Sequence, residues 1–162
     1  MTIGNGNAPE TDDERFMNIA LREATIAFEE SETPIGAVVV HSGKVIGRGH
    51  NRNIALGDPT AHAEMIAITA AAGTLGDWRL EDCDLYCTIE PCVMCAGAAV
   101  LARMRRIIYG ASEPKFGGCE TVYQIPTDTR LNHKIDIVSG VCAARSAELM
   151  REFFKKVREK SK

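Results

Sequence analysis

One histidine, two cysteines and a spare carboxylate are the residues of this 162-residue chain whose types and spacing best suit chemistry. His62-Ala63-Glu64 follows Asp58-Pro59-Thr60-Ala61, and Pro91-Cys92-Val93-Met94-Cys95 follows Ile89-Glu90. An imidazole and two thiols could hold a metal ion, while Glu64 has no obvious place among the ligands. Zinc prefers four nitrogen and sulfur ligands in a tetrahedron, and a catalytic zinc leaves one position open for water. Three protein ligands therefore point to catalysis, where four would point to a structural staple. Taken singly the pieces are ambiguous: a lone His-x-Glu is close to noise, and a lone Cys-x-x-Cys suits half a zinc site, a redox pair or chance.

The surrounding pattern supplies elements to position both motifs. Thr11-Asp12-Asp13-Glu14 has the capping-box form, and Phe16, Ala20, Ala24, Ala27 and Phe28 recur at helical spacing, so a helix is expected over about 12 to 31. The β-branched run 35 to 40 reads as a strand, Ser42-Gly43 as a turn, and 44 to 51 as the returning arm of a hairpin. A loop is expected over 53 to 59. Thr60 or Asp58 can then cap a helix beginning near Ala61 and ending at Gly73, with His62 and Glu64 in its first turn. Side chains two apart on a helix diverge by about 200°, so Glu64 reads as a partner to the chemistry rather than a ligand. Residues 76 to 82 form a loop with Trp78 on the core, and 83 to 89 alternate as a strand, Asp84, Tyr86 and Thr88 sharing one face. Pro91 suits the first turn of a helix running to about 103, on which Cys92 and Cys95 share a face and the helix N-terminus favours their thiolates. Strands over 105 to 109 and 135 to 138, an irregular stretch over 111 to 130, and a final helix over 142 to 158 complete an α/β layered domain with helices packed on a mixed sheet of about five strands. Helix N-termini gather at one edge of such a sheet, where sequence-distant motifs can meet.

The length fits a single domain over 1–162, and 45% hydrophobic residues can build one core without disulfides. Residues 1 to 9 lack the charged start and apolar run of a signal peptide, and no later run is long enough to span a bilayer. A cytoplasmic protein without a membrane partner is expected, with residues 1–11 disordered. In a reducing compartment Cys83, Cys87, Cys119 and Cys142 read as small buried hydrophobes. The net charge of -3 gives no global sign of nucleic-acid binding, but charge is unevenly spread. Residues 1–34 hold eight acids against two bases, and residues 145–162 seven bases against three acids. The C-terminal helix, 142–162, is thus basic, which also suits its macrodipole.

With 26 residues between Glu64 and Pro91, the two motifs together match the histidine-x-glutamate, proline-cysteine-x-x-cysteine signature of zinc deaminases. The sequence resembles the cytidine deaminase-like zinc enzymes and, within them, the bacterial tRNA adenosine deaminases, from Phe16 to Arg158. The resembling stretches are 34 to 40, Gly49-His50-Asn51-Arg52, 58 to 64, 90 to 98, Leu131-Asn132-His133 and Phe153-Phe154. The resemblance implies a three-layer α/β/α cytidine deaminase-like fold and one Zn2+ per subunit on His62, Cys92 and Cys95, with Glu64 as the catalytic proton shuttle. It implies hydrolytic deamination of the wobble adenosine in a tRNA anticodon loop to inosine, releasing ammonia, by a homodimer with no DNA substrate. It further implies substrate contacts at Asn51, Ala63, Phe153, Phe154 and Lys155. On residue type alone Asn51 suits a loop cap and Phe154 a core position, and Arg103, Arg105, Arg106 and Lys115 read by default as solvated charge, with phosphate contacts the alternative. Glu120 and the weakly acidic 141 to 145 depart from the family pattern. Two rival readings remain: a free-base or nucleoside deaminase of guanine or cytosine type, and a non-catalytic zinc-stabilised RNA-binding subunit.

Overall fold

The computed structural model describes residues 8–162; most of the stretch expected to be disordered, 1–7, lies outside the described residues. The first helix, α1 (Asp12–Glu29), starts where the capping pattern placed it. Thr11 Oγ1 accepts the Glu14 N–H at 3.1 Å, and Asp12, Asp13 and Glu14 sit at the positive end of the helix. Strands β1 (Gly36–His41) and β2 (Lys44–His50) form the expected hairpin. After it come α2 (Asn53–Leu56), α3 (Ala63–Leu75), β3 (Cys83–Ile89), α4 (Val93–Leu101), β4 (Arg106–Ala111), a 3-10 turn (Ile125–Thr127), β5 (Asp136–Val138) and α5 (Ala143–Lys160). The five strands lie in the order β2-β1-β3-β4-β5; β1 is antiparallel to both neighbours, while β3, β4 and β5 are parallel. Residues of α3 and α4 share one buried cluster with the sheet, and α1 and the start of α5 cover the other face, giving the three-layer α/β/α arrangement.

The seating of α3 on the sheet is set by small residues. A Cβ on Gly47 would stand 2.3 Å from the Ala67 carbonyl oxygen, and one on Gly49 would stand 2.4 Å from that of Ala63. Ala63, Ala67 and Ala71 face these glycines and are fully buried. The alanine-rich character of α3 thus reflects contact at backbone distance, not helix propensity alone.

Several boundaries differ from expectation. The loop foreseen over 53 to 59 contains α2, because the buried Glu32 carboxylate accepts the Ile54 and Ala55 N–H groups at 3.2 and 2.7 Å and so satisfies the start of a four-residue helix. Helix α3 begins at Ala63, leaving His62 as an extended N-cap residue, and passes through Gly73 to stop at Gly76 in the left-handed conformation. Helix α4 likewise begins at Val93, with Cys92 as N-cap and Pro91 outside the helix. Trp78 is 60% exposed instead of packing on the core; the Arg79 guanidinium lies 5.1 Å from its ring, and Leu80 is the buried residue of that loop.

Strand β3 is buried on both faces, so its polar residues required partners. Thr88 accepts the Gly36 N–H, and the Tyr86 hydroxyl donates to Asp13 at 2.6 Å. Asp84 receives Arg105 at 2.9 and 2.7 Å and Arg106 at 3.1 and 2.7 Å. Burial would raise the Asp84 carboxyl, but the two arginines outweigh it and hold the group below its ordinary 3.8. A carboxyl depressed in the folded state contributes its stability above the unfolded value and loses it as pH falls through the lower folded value. Arg106→Ala is therefore expected to lower unfolding free energy by about 2 kcal/mol near neutral pH. That deficit should shrink as urea titrations move below pH 3.8. Gly49→Ala, which drives a methyl into α3, is expected to destabilise by about 2 kcal/mol in the same titrations at neutral pH.

Candidate active site and metal centre

Both chemical motifs arrive at one end of the sheet. His62 ends the segment between β2 and α3, and Cys92 follows β3 through Glu90 and Pro91. His62 Nδ1 lies 3.5 Å from Cys92 Sγ and 3.6 Å from Cys95 Sγ, and the three donor atoms all fall within 4.8 Å of one another. The donor chemistry fits zinc: one imidazole nitrogen and two sulfurs, one of them poised as thiolate. The Cys92 thiol is held down to about 4 by the hydrogen bond from Cys95 and, against the opposing effect of burial, by that with His62. His62 is raised by its bond to Cys92, and Cys95 by its bond to Cys92 and by burial. Cys92 and Cys95 both stand at the N-terminus of α4, where unpaired N–H groups favour anionic sulfur.

Glu64 is the second residue of α3 and only 3% exposed. Its Oε2 accepts from Cys95 Sγ at 3.2 Å and its Oε1 from Cys87 Sγ at 2.7 Å. Burial raises the carboxyl above its ordinary 4.5, opposed by these two bonds. The two-apart divergence expected of a shared helical turn does not apply, since His62 is extended; the carboxylate still reaches the sulfur cluster, through Cys95.

The other anticipated contacts are distributed unevenly. Asn51 is buried, and its Oδ1 accepts the Ala63 N–H at 2.9 Å, so this side chain caps the first residue of α3 beside His62. Ala63 itself is fully buried. Phe153 packs edge-on against Phe28, with centroids 6.0 Å apart, whereas Phe154 is exposed and lines a cavity of about 350 Å³ with Ile89, Lys115 and Arg151. Lys155 is exposed on α5 and does not line that cavity. Arg105 and Arg106 stand at the opposite end of the strands, bound to Asp84 and, for Arg106, to Asp13, while Arg103 donates to the Val100 carbonyl. All three are thus engaged with acceptors of the protein itself.

Glu90, unremarked in the sequence beyond its place in the motif, organises the loop after β4. Its carboxylate, 2% exposed, accepts the N–H groups of Glu113, Cys119, Glu120 and Thr121 at 2.9 to 3.2 Å and the Thr121 hydroxyl. The loop is also tied directly to the cysteine motif, Gly118 N–H donating to the Pro91 carbonyl at 2.8 Å and Gly117 bridging Cys92. Burial would raise Glu90, and this ring of donors reverses the shift, holding the carboxyl below its ordinary range. The departure at Glu120 has a local reason as well: its Oε1 accepts the buried Tyr109 hydroxyl at 2.6 Å. Only an acid directly before the cysteine motif could have hinted at this clamp, because its donors lie 23 to 31 residues downstream.

A histidine and a cysteine pair converging at helix starts on a three-layer sheet, with a buried glutamate touching the cluster, define a zinc-dependent deaminase. Residues 10–111 match the cytidine and deoxycytidylate deaminase zinc-binding region. The chain is 50% identical over 147 residues to a tRNA-specific adenosine deaminase of Streptococcus pyogenes, covering 91% of this chain and 92% of that protein. A solved structure from work on A-to-I editing by tRNA:A34 deaminases at the wobble position of transfer RNA superposes with a TM-score of 0.80 at 47% identity, over 83% of this chain and 98% of that one. A guanine deaminase from Nitrosomonas europaea is more distant, with a TM-score of 0.76 at 25% identity over 86% and 83% of the two chains. The chain belongs to the tRNA-specific adenosine deaminase family.

Removing the Glu90 clamp leaves several loop donors without their acceptor. Glu90→Ala is expected to destabilise the protein by about 3 kcal/mol. It should also raise amide hydrogen exchange across 113–121 far more than in α1.

Proposed function

We propose that this chain catalyses zinc-dependent hydrolytic deamination of the wobble adenosine in a tRNA anticodon loop, producing inosine and ammonia. The observation that carries the chemistry is Glu64, a buried carboxylate outside the three-donor group yet 3.2 Å from one of its sulfurs. His62, Cys92 and Cys95 would hold one zinc per chain. Bound there, the ion would lower the pKa of water towards about 7 and so supply a hydroxide nucleophile at neutral pH. Glu64 takes the proton of the attacking water, passes it to the ring nitrogen beside the attacked carbon, and assists protonation of the departing ammonia. A non-catalytic zinc-stapled subunit would have no use for a carboxylate in this place.

Asn51 contributes to base recognition through its NH2 group, since its carbonyl oxygen holds the Ala63 N–H. Adenosine reaches such a site only when splayed from its loop, and RNA loops are read by stacking and backbone contacts. The cavity beside the end of β3, with Phe154 for stacking and Lys115 and Arg151 for phosphate, supports that mode. Phe153 supports it indirectly, bracing α5 on Phe28, and Lys155 adds to the basic face of the same helix. A homodimer is favoured by exposed apolar side chains on α4 and the loop packed against it: Val93, Leu101, Phe116, Val122 and Tyr123. No helix among the described residues is long and apolar enough to cross a membrane. A tRNA-modifying reaction supports a cytoplasmic location.

Purified protein offered an anticodon stem-loop with wobble adenosine is expected to form inosine, and to release no ammonia from free guanine, cytosine, adenosine or cytidine. Ammonia from guanine without inosine in the RNA would instead establish the guanine deaminase reading. Glu64→Ala is expected to keep one zinc per chain by elemental analysis while turnover falls about 10³-fold. Loss of zinc in that variant would make Glu64 a ligand.

A further inference from the structure

We propose that Cys87 is a positioning residue for the catalytic carboxylate, its thiol fixing which oxygen of Glu64 faces the metal group. The inference rests on the reading of Glu64 as proton shuttle and extends it to a residue outside both sequence motifs. Cys87 lies in β3, paired with Ala37 of β1 on one side and Tyr109 of β4 on the other, and is completely buried. It therefore stands on the central strand of the sheet, paired on both sides. From there its Sγ donates to Glu64 Oε1 at 2.7 Å, while Oε2 is the oxygen that reaches Cys95 at 3.2 Å.

The two sulfurs stand differently towards the metal group. Cys95 belongs to the three donors, whereas Cys87 lies outside them; burial, and then the neighbouring Glu64 charge, push the Cys87 thiol well above the ordinary range. Cys87 is thus the side-chain donor independent of the metal group on a carboxylate buried to 3% exposure. With Oε1 held, rotation of the carboxylate is blocked and Oε2 stays turned towards the cluster, where the proton has to be collected. Without that bond, Glu64 keeps its place on α3 but loses its orientation and carries an unsatisfied buried acceptor.

A cysteine that merely fills space predicts a different result from one that donates. Valine preserves the volume and apolar character of the site but has no donor, whereas serine preserves the donor at the expense of apolar packing. Single-turnover inosine formation at saturating anticodon stem-loop is expected to slow about tenfold in Cys87→Val and to remain within about threefold of wild type in Cys87→Ser. KM for the RNA, zinc stoichiometry and circular-dichroism spectrum should be unchanged in both. A packing role would reverse the order, and wild-type rate in Cys87→Val, or a Cys87→Ser as slow as Cys87→Val, overturns the inference. If Cys87→Val does not fold, Cys87→Ala against Cys87→Ser provides the same contrast. Glu64→Ala assayed alongside separates the two levels. Turnover without the carboxylate overturns the shuttle reading and this inference with it, whereas an inactive Glu64→Ala beside a full-rate Cys87→Val overturns the inference alone.

Discussion

The near-contact of α3 with β2 is the constraint on which the rest of the site depends. Gly47 and Gly49 remove side chains from the strand, and Ala63, Ala67 and Ala71 keep the helix face thin, so the two backbones meet almost directly. Interiors are packed too densely for a helix seated in this way to slide. Its first residues inherit that precision: the N-cap residue His62 presents Nδ1 to the sulfurs, and Glu64 stays buried beside them. The capping bond from Ala63 N–H to Asn51 completes the arrangement by joining the end of the hairpin to the start of the helix.

Buried carboxylates are the second theme. Asp84 gathers two arginines, Glu32 starts α2, Glu90 holds the loop after β4, and Glu64 lies against the sulfurs of Cys87 and Cys95. Three of the four are satisfied by strong donors, either guanidinium groups or sets of backbone N–H groups, and such fully satisfied networks make local geometry rigid. Glu64 differs in receiving only sulfur donors from other side chains, which are weak.

How much could be read in advance follows from the range of each interaction. The α1 cap, the hairpin, the five strands and the convergence of His62, Cys92 and Cys95 were legible because they depend on neighbouring residues, hydrophobic periodicity or a motif. Helix α2 was not, because the acid that nucleates it lies more than twenty residues upstream. The alternation placed Asp84, Tyr86 and Thr88 on one face of β3 but not what covers it: α1 does, and distant groups satisfy the three residues. Gly73 resembled a helix stop, but the left-handed conformation that ends the helix falls at Gly76 and not at Gly73. The unequal exposure of Phe153 and Phe154 depended on Phe28, at the far end of a helix over a hundred residues earlier.

The separation of the Glu90 donors has a kinetic meaning. His62 and Cys92 are 30 residues apart, and the donors on Glu90 come from 23 to 31 residues further on, across the β3–β4 pairing. Contacts of such sequence separation close late, after local helices and the hairpin have formed. A short zinc finger uses its metal to begin folding. In this protein the three donors come together only when β3 is paired beside the β1–β2 hairpin that carries α3, so the metal group is a product of the fold and not its starting point.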